Sequence, residues 1–160
     1  MSLRFLRIDD LGASSKQYEQ WSRTWWANVG PFKAKEPWAA MGPYREFDPG
    51  ELDHLIRSCG LRLTLGITAC WVERDGVLTP YPEKFPQQAE VIKSHWHRGG
   101  VLVANHGLTH CRVFHHLPRF WRGNRGFHRE FWSGMPAEHV RCHLAESQRI
   151  FRNWLGTAPS

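Results

Sequence analysis

"FLRIDDLG", residues Phe5–Gly12, closes a short apolar run with two adjacent aspartates. The run from Leu3 to Ile8 reads as a buried strand. Side-by-side carboxylates repel, and burial raises the cost of their charge. A strand end that carries two of them calls for a cation nearby. A second stretch, nearly a hundred residues on, offers groups that can hold one: "VLVANHGLTHC", Val101–Cys111.

Working outward from these stretches, the chain alternates strand and helix. Ser14 to Trp26 reads as a short helix, and Asn28 to Tyr44 as a long loop punctuated by Gly30-Pro31, Pro37 and Gly42-Pro43. "DPGELDHLIRSCG" predicts a helix with Asp48 as cap, Pro49 in the first position, Glu51 three after the cap and Gly60 as the stop. Leu61 to Ala69 predicts a second strand. After a Pro-rich loop, Pro86 to His97 predicts a helix closed by Gly99-Gly100, and Val101 to Asn105 a third strand. An irregular stretch from Cys111 to Met135 leads to a last helix, Pro136 to Leu155, ended by Gly156. On it Val140, Leu144, Ser147, Phe151 and Trp154 share one face. This order favours an α/β fold with parallel strands, and 160 residues suit a single domain over 1–160.

In such folds chemistry gathers at the C-terminal ends of the strands. Asp9-Asp10 ends the first predicted strand, and His106 ends the third. His110 follows four residues later, so on a helical turn both imidazoles reach one ion. Two imidazoles and one carboxylate make three protein ligands and leave open positions, the arrangement expected of a catalytic divalent ion, Zn²⁺ by its donor set. The other carboxylate is then free to act as a base.

"RIDD" after a first strand, with "NHGLTH" after a later one, resembles the polysaccharide deacetylases of carbohydrate esterase family four. The resemblance implies a distorted, incomplete (β/α) barrel. It implies Asp9 as general base and Asp10, His106 and His110 as metal ligands. It also implies hydrolysis of an N-acetyl group, a C–N bond that is not a peptide bond, on a glycan or glycoconjugate. Three departures stand out. Gly107 occupies the place where the family usually has Ser or Thr, and Leu11 separates the aspartates from the glycine that usually follows them. The family's later Arg-Pro and Leu-x-His motifs have no counterpart before "NWLGTAPS". The expectation is an amino-terminal part of such a barrel, truncated after about the third or fourth βα unit, with its activity reduced or lost. A partner chain or a second copy would then complete the sheet.

Trp71 and Glu73 follow the second predicted strand, and they are expected at the active face as substrate-binding residues. Arg125, His128 and Glu130 lie in the irregular stretch with His115, His116 and Arg129. A loop there can hang over the site, touch an anionic glycan or supply a substitute acid. His139, Cys142 and His143 form a second cluster on the last helix. With no carboxylate obviously paired with them, they read as a polar helix surface. Cys111 reads as a small buried residue.

Composition narrows the partners. The net charge of +6 suits an acidic partner, and 41% hydrophobic residues provide for a core. The 9 Trp residues are expected mostly in the core, with some able to line a groove for sugar rings. The 4 cysteines are scattered without CxxC spacing, the N-terminus has no signal-peptide pattern and no run is long enough to span a membrane, so a cytoplasmic protein is expected. The alternative reading is a non-catalytic module that binds an anionic glycan or nucleic acid. No helix-turn-helix, RNP-like or finger motif supports the nucleic-acid version.

Overall fold

The computed structural model describes residues 5–13, 46–59, 62–73, 75–113, 130–131 and 134–159. Strand β1 (Phe5–Leu11), strand β2 (Arg62–Ile67) and strand β5 (Leu102–Asn105) form a parallel three-stranded sheet in the order β1-β2-β5. Helix α1 (Pro49–Ser58) lies between the first two strands in sequence, and helix α3 (Pro86–His97) precedes the third. Helix α4 (Ala137–Leu155) follows. The α/β alternation read from the sequence is therefore present. The described strands form no closed barrel. The short helix expected at 14–26 and the loop at 28–44 lie outside the described residues, as does most of the irregular stretch at 111–135.

The helix ends follow the local chemistry. The Asp48 carboxylate accepts from the backbone N–H of Gly50 and Glu51, and Pro49 occupies the first helical position, where a missing N–H costs nothing. Gly156 ends α4 in the left-handed region. Between β2 and α3 the reading expected only a Pro-rich loop. The chain instead forms an antiparallel hairpin, β3 (Cys70–Val72) with β4 (Leu78–Pro80), and one helical turn, α2 (Tyr81–Lys84). The second strand stops at Ile67, short of the expected Ala69, because the chain turns there into the hairpin.

Both crossovers step the same way across the sheet, and such crossovers place their helices on the same face. The core sits on that face. Leu63, Leu65 and Ile67 of β2 and Val103 of β5 are buried against Leu52 and Ile56 of α1, Ala89 and Ile92 of α3, and Phe151 and Leu155 of α4. Strand alternation sends Arg7, Asp9, Thr64, Gly66, Leu102 and Ala104 to the other face, where Leu102 remains exposed. Asp53 of α1 bonds His95 of α3 at 2.7 Å and ties the two crossover helices together.

On α4 the expected stripe holds only in part. Ser147, Phe151 and Trp154 are buried, but Val140 is half-buried and Leu144 exposed. The first turns of the helix extend past the core and overhang the strand ends. Of the three tryptophans among the described residues, Trp71 and Trp154 are buried and Trp96 is partly so; the other six lie outside them. No described helix is long and apolar enough to cross a membrane.

Phe151 is fully buried and its ring stacks on Trp154 at 5.9 Å. Phe151→Ala is expected to destabilise the fold by about 3–5 kcal/mol, read as a lower urea midpoint at unchanged slope.

Candidate metal centre

Strand β1 runs on through both aspartates rather than ending at Ile8. Its register with β2 shifts between Ile8, which faces Leu65, and Leu11, which faces Ile67. Asp9 and Asp10 thus stand against the single residue Gly66, which is a β-bulge. The bulge sends the two side chains in different directions. Asp9 lies over Gly66, where a Cβ would collide with its carboxylate, so a larger residue there would push the Asp9 side chain aside. Asp10 takes a left-handed backbone, φ 68°, and turns toward the end of β5.

There it meets both histidines. Asp10 Oδ1 lies 2.9 Å from His106 Nε2 and 2.9 Å from His110 Nε2. The two imidazoles stack at 5.0 Å between ring centroids. One donor atom from each of the three residues lies within 4.8 Å of the others. A tetrahedral ion with bonds of about 2.0–2.1 Å needs its donors roughly 3.3 Å apart, so a small outward movement of the side chains admits one. Two nitrogens and one oxygen are also the donor types that Zn²⁺ accepts. The residues present therefore fit a divalent ion.

The backbone around the histidines is pinned to the neighbouring chain. His106 N donates to Ile67 O, Ala69 N to Gly107 O and Cys70 N to Leu108 O, at 2.7–2.9 Å. These bonds continue the β2–β5 pairing beyond the strands. Asn105 Oδ1 accepts from Gly107 N, while Asn105 Nδ2 donates to Ser147 Oγ on α4 at 2.8 Å. His110 adopts a left-handed backbone, φ 58°. Among the described residues Asp10 and His110 are the two non-glycine positions with positive φ, and both are candidate ligands. Such a backbone costs about 1–2 kcal/mol per residue and persists where its surroundings hold it.

Asp9 lies beside the cluster, with Oδ1 4.0 Å from His106 Nδ1 and accepting from Arg7 Nε at 2.7 Å. A cleft of about 360 Å³ opens next to the imidazoles, walled by Asn105, Gly107, Glu130, Phe131 and Leu144. Its entrance exposes the side chains of Phe131 and Leu144.

The other candidate residues are distributed differently. Glu130 borders the cleft, but it is buried and its carboxylate is engaged. Oε1 accepts from Leu108 N and lies 2.8 Å from His143 Nδ1, and Oε2 accepts from Thr109 N and His110 N. Trp71 and Glu73 belong to the hairpin side of the fold. Trp71 is buried edge-on against Phe85, and Glu73 pairs with Lys84 at 2.5 Å. Arg125 and His128 lie outside the described residues, with His115, His116 and Arg129. His139 and Cys142 are exposed, as a polar helix surface predicts. His143 departs from that reading, because its ring is held by Glu130. Cys111 is buried and stands outside the donor cluster. The Cys70 thiol, pushed up to about 12 by burial, is inert near neutral pH.

Sequence reasoning missed the bulge, the Gly66 cradle and the clamp on the ligand loop. A Gly inside an apolar strand was the available signal for the first two. The clamp had no local signal, since Glu130 and His143 lie far from the motif. No family model, curated protein or solved structure matches this chain.

The hydrogen bond to Asp10 raises the His106 imidazole above its ordinary 6.5, against the opposing effect of burial, with the nearby Asp10 and Asp9 charges adding to the rise. In the metal-free protein this contribution to stability is complete below the unfolded imidazole value and is lost as pH rises through the raised one. An NMR titration of metal-free protein is expected to show His106 titrating above 6.5 in wild type and clearly lower in Asp10→Asn.

Proposed function

We propose that the chain is a metal-dependent hydrolase of the polysaccharide deacetylase type, acting on the N-acetyl group of a sugar. The observation that carries this reading is the meeting of Asp10, His106 and His110 at the ends of parallel strands, with Asp9 beside them. The sheet adds support. Its strands advance in one direction with the helices on one face, a winding that one arc of a (β/α) barrel shares with one half of a doubly wound sheet. We take the sheet as one arc of such a barrel, distorted and incomplete.

Each residue then has a task set by its position. Asp10, His106 and His110 hold a divalent ion, with Zn²⁺ best suited to the donor set. When bound, the ion polarises a carbonyl oxygen and makes a coordinated water more acidic. Asp9 accepts the proton of the attacking water as general base. Arg7 occupies one oxygen of Asp9, Oδ1, and so fixes the direction of the other. The water oxygen bonds to the acetyl carbon, the C–N bond breaks, and the sugar amine takes up a proton as acetate departs. The cleft beside the imidazoles gives the acetylated sugar a place, with Phe131 and Leu144 offering apolar surface to a ring face. The net charge of +6 favours a substrate that carries negative charge elsewhere, such as an anionic glycan or glycoconjugate.

Metal content and acetate release from an N-acetylated oligosaccharide test the reading together. Wild type is expected to hold one divalent ion per chain, and Asp10→Ala and His106→Ala to hold none. Asp9→Asn should keep the ion and lower by about a hundredfold or more whatever acetate release the wild type shows, which is itself expected to be weak. A wild-type protein with no more metal than the Asp10→Ala variant overturns the proposal.

A further inference from the structure

We infer that Glu130 is the positioning residue of the metal centre: its carboxylate clamps the ligand loop and, through His143, fastens it to α4. This rests on the reading of Asp10, His106 and His110 as metal ligands. The geometry points to it in three ways.

First, the carboxylate meets a preformed set of donors. The backbone N–H groups of Leu108, Thr109 and His110 converge on it at 2.9, 3.1 and 2.9 Å. Successive N–H groups arranged this way form an anion-binding nest, and here a side chain of the same protein fills it. Glu130 is 5% exposed, so its oxygens would be poorly solvated without those donors.

Second, the loop is shaped around this one side chain. A Cβ on Gly107 would collide with Glu130 Oε2, and the backbone at Gly107 has φ 99°. The left-handed turn at His110, which aims its imidazole at Asp10, is made by the residue whose N–H Glu130 holds. Without the carboxylate, three adjacent donors, two of them buried, would lose their acceptor in the stretch that sets the spacing of the two imidazoles.

Third, the clamp reaches a rigid element. His143 Nδ1 lies 2.8 Å from Glu130 Oε1, and one turn further along α4 Ser147 Oγ accepts from Asn105. Residues four apart share a helix face. One face of α4 therefore holds the loop twice, at its start through Asn105 and along its length through Glu130. The docked helix fixes the donor positions before any ion arrives, so Glu130 acts on ion affinity without touching the ion.

Glu130→Gln tests this on the full chain. The amide keeps the size of the side chain and replaces one acceptor oxygen by a donor, so the N–H groups on one side go unserved. Two readouts are taken: amide hydrogen exchange at Leu108, Thr109 and His110 in metal-free protein, and the affinity for Co²⁺ with its visible absorption as a report of ligand geometry. Exchange at these amides is expected to speed up about tenfold or more while the core amides stay protected. Co²⁺ affinity is expected to fall about 10–100-fold, with an altered spectrum. A purely structural role would lower the melting temperature and leave the affinity and spectrum of the folded variant at wild-type values, and that result overturns the inference. So does unchanged exchange at the three amides. If wild type binds no Co²⁺, the metal reading fails, and the clamp is judged on exchange alone. Should Glu130→Gln not fold, His143→Ala removes the helix tie and leaves the carboxylate. It is expected to move both readouts in the same direction by a few-fold, and no change in either overturns the inference.

Discussion

Asp10 Oδ1 sits between two imidazoles that follow it by about a hundred residues, and the contact exists because β1 and β5 run parallel on either side of β2. Parallel strands end on the same side of a sheet, so side chains remote in sequence become neighbours there. An antiparallel partner would have put the histidines at the opposite end of the strands. Strand direction alone leaves Asp10 short of its targets, since alternation places one of two successive residues on each face. The bulge opposite Gly66 and the left-handed turn at Asp10 close that gap. The site is thus a sheet property corrected by one local irregularity.

Such irregularity needs restraint. Two strained backbones and three polar side chains gathered in a small space would relax apart on a mobile loop. The loop is held on one side by backbone bonds to residues 67, 69 and 70, and on the other by Asn105 and Glu130. All these anchors lead to β2, β3 or α4, elements with buried apolar residues. Burial of Leu65, Ile67, Phe151 and Leu155 therefore does more than stabilise the fold. It supplies the stiffness against which the strained positions are kept.

Much of this was legible in the sequence. The Asp48-Pro49 start of α1, the Gly stop of α4 and the three parallel strands came from local chemistry and element order, while the gathering of Asp10 with His106 and His110 was expected from strand-end placement together with a motif resemblance. What was not legible has a common cause. The β3–β4 hairpin is made of strands three residues long, too short for alternation to show. The α4 stripe runs past the end of the core, and period alone cannot tell where a partner surface stops. Glu130 read as a residue free to meet a ligand because nothing in its own neighbourhood reveals the N–H groups of residues 108–110, which only folding brings to it.

Gly107 joins the two kinds of information. In the deacetylase motif that the loop resembles, Ser or Thr usually stands at this place, and from the sequence alone glycine there weakens the likeness. The carboxylate of Glu130 occupies the space that a side chain at position 107 would need. A hydroxyl side chain and a remote carboxylate can both act as hydrogen-bond acceptors in a loop of this kind. With Glu130 as it stands, a side chain at 107 would have to displace that carboxylate. Glu130 also brings four hydrogen-bonding partners of its own to that space.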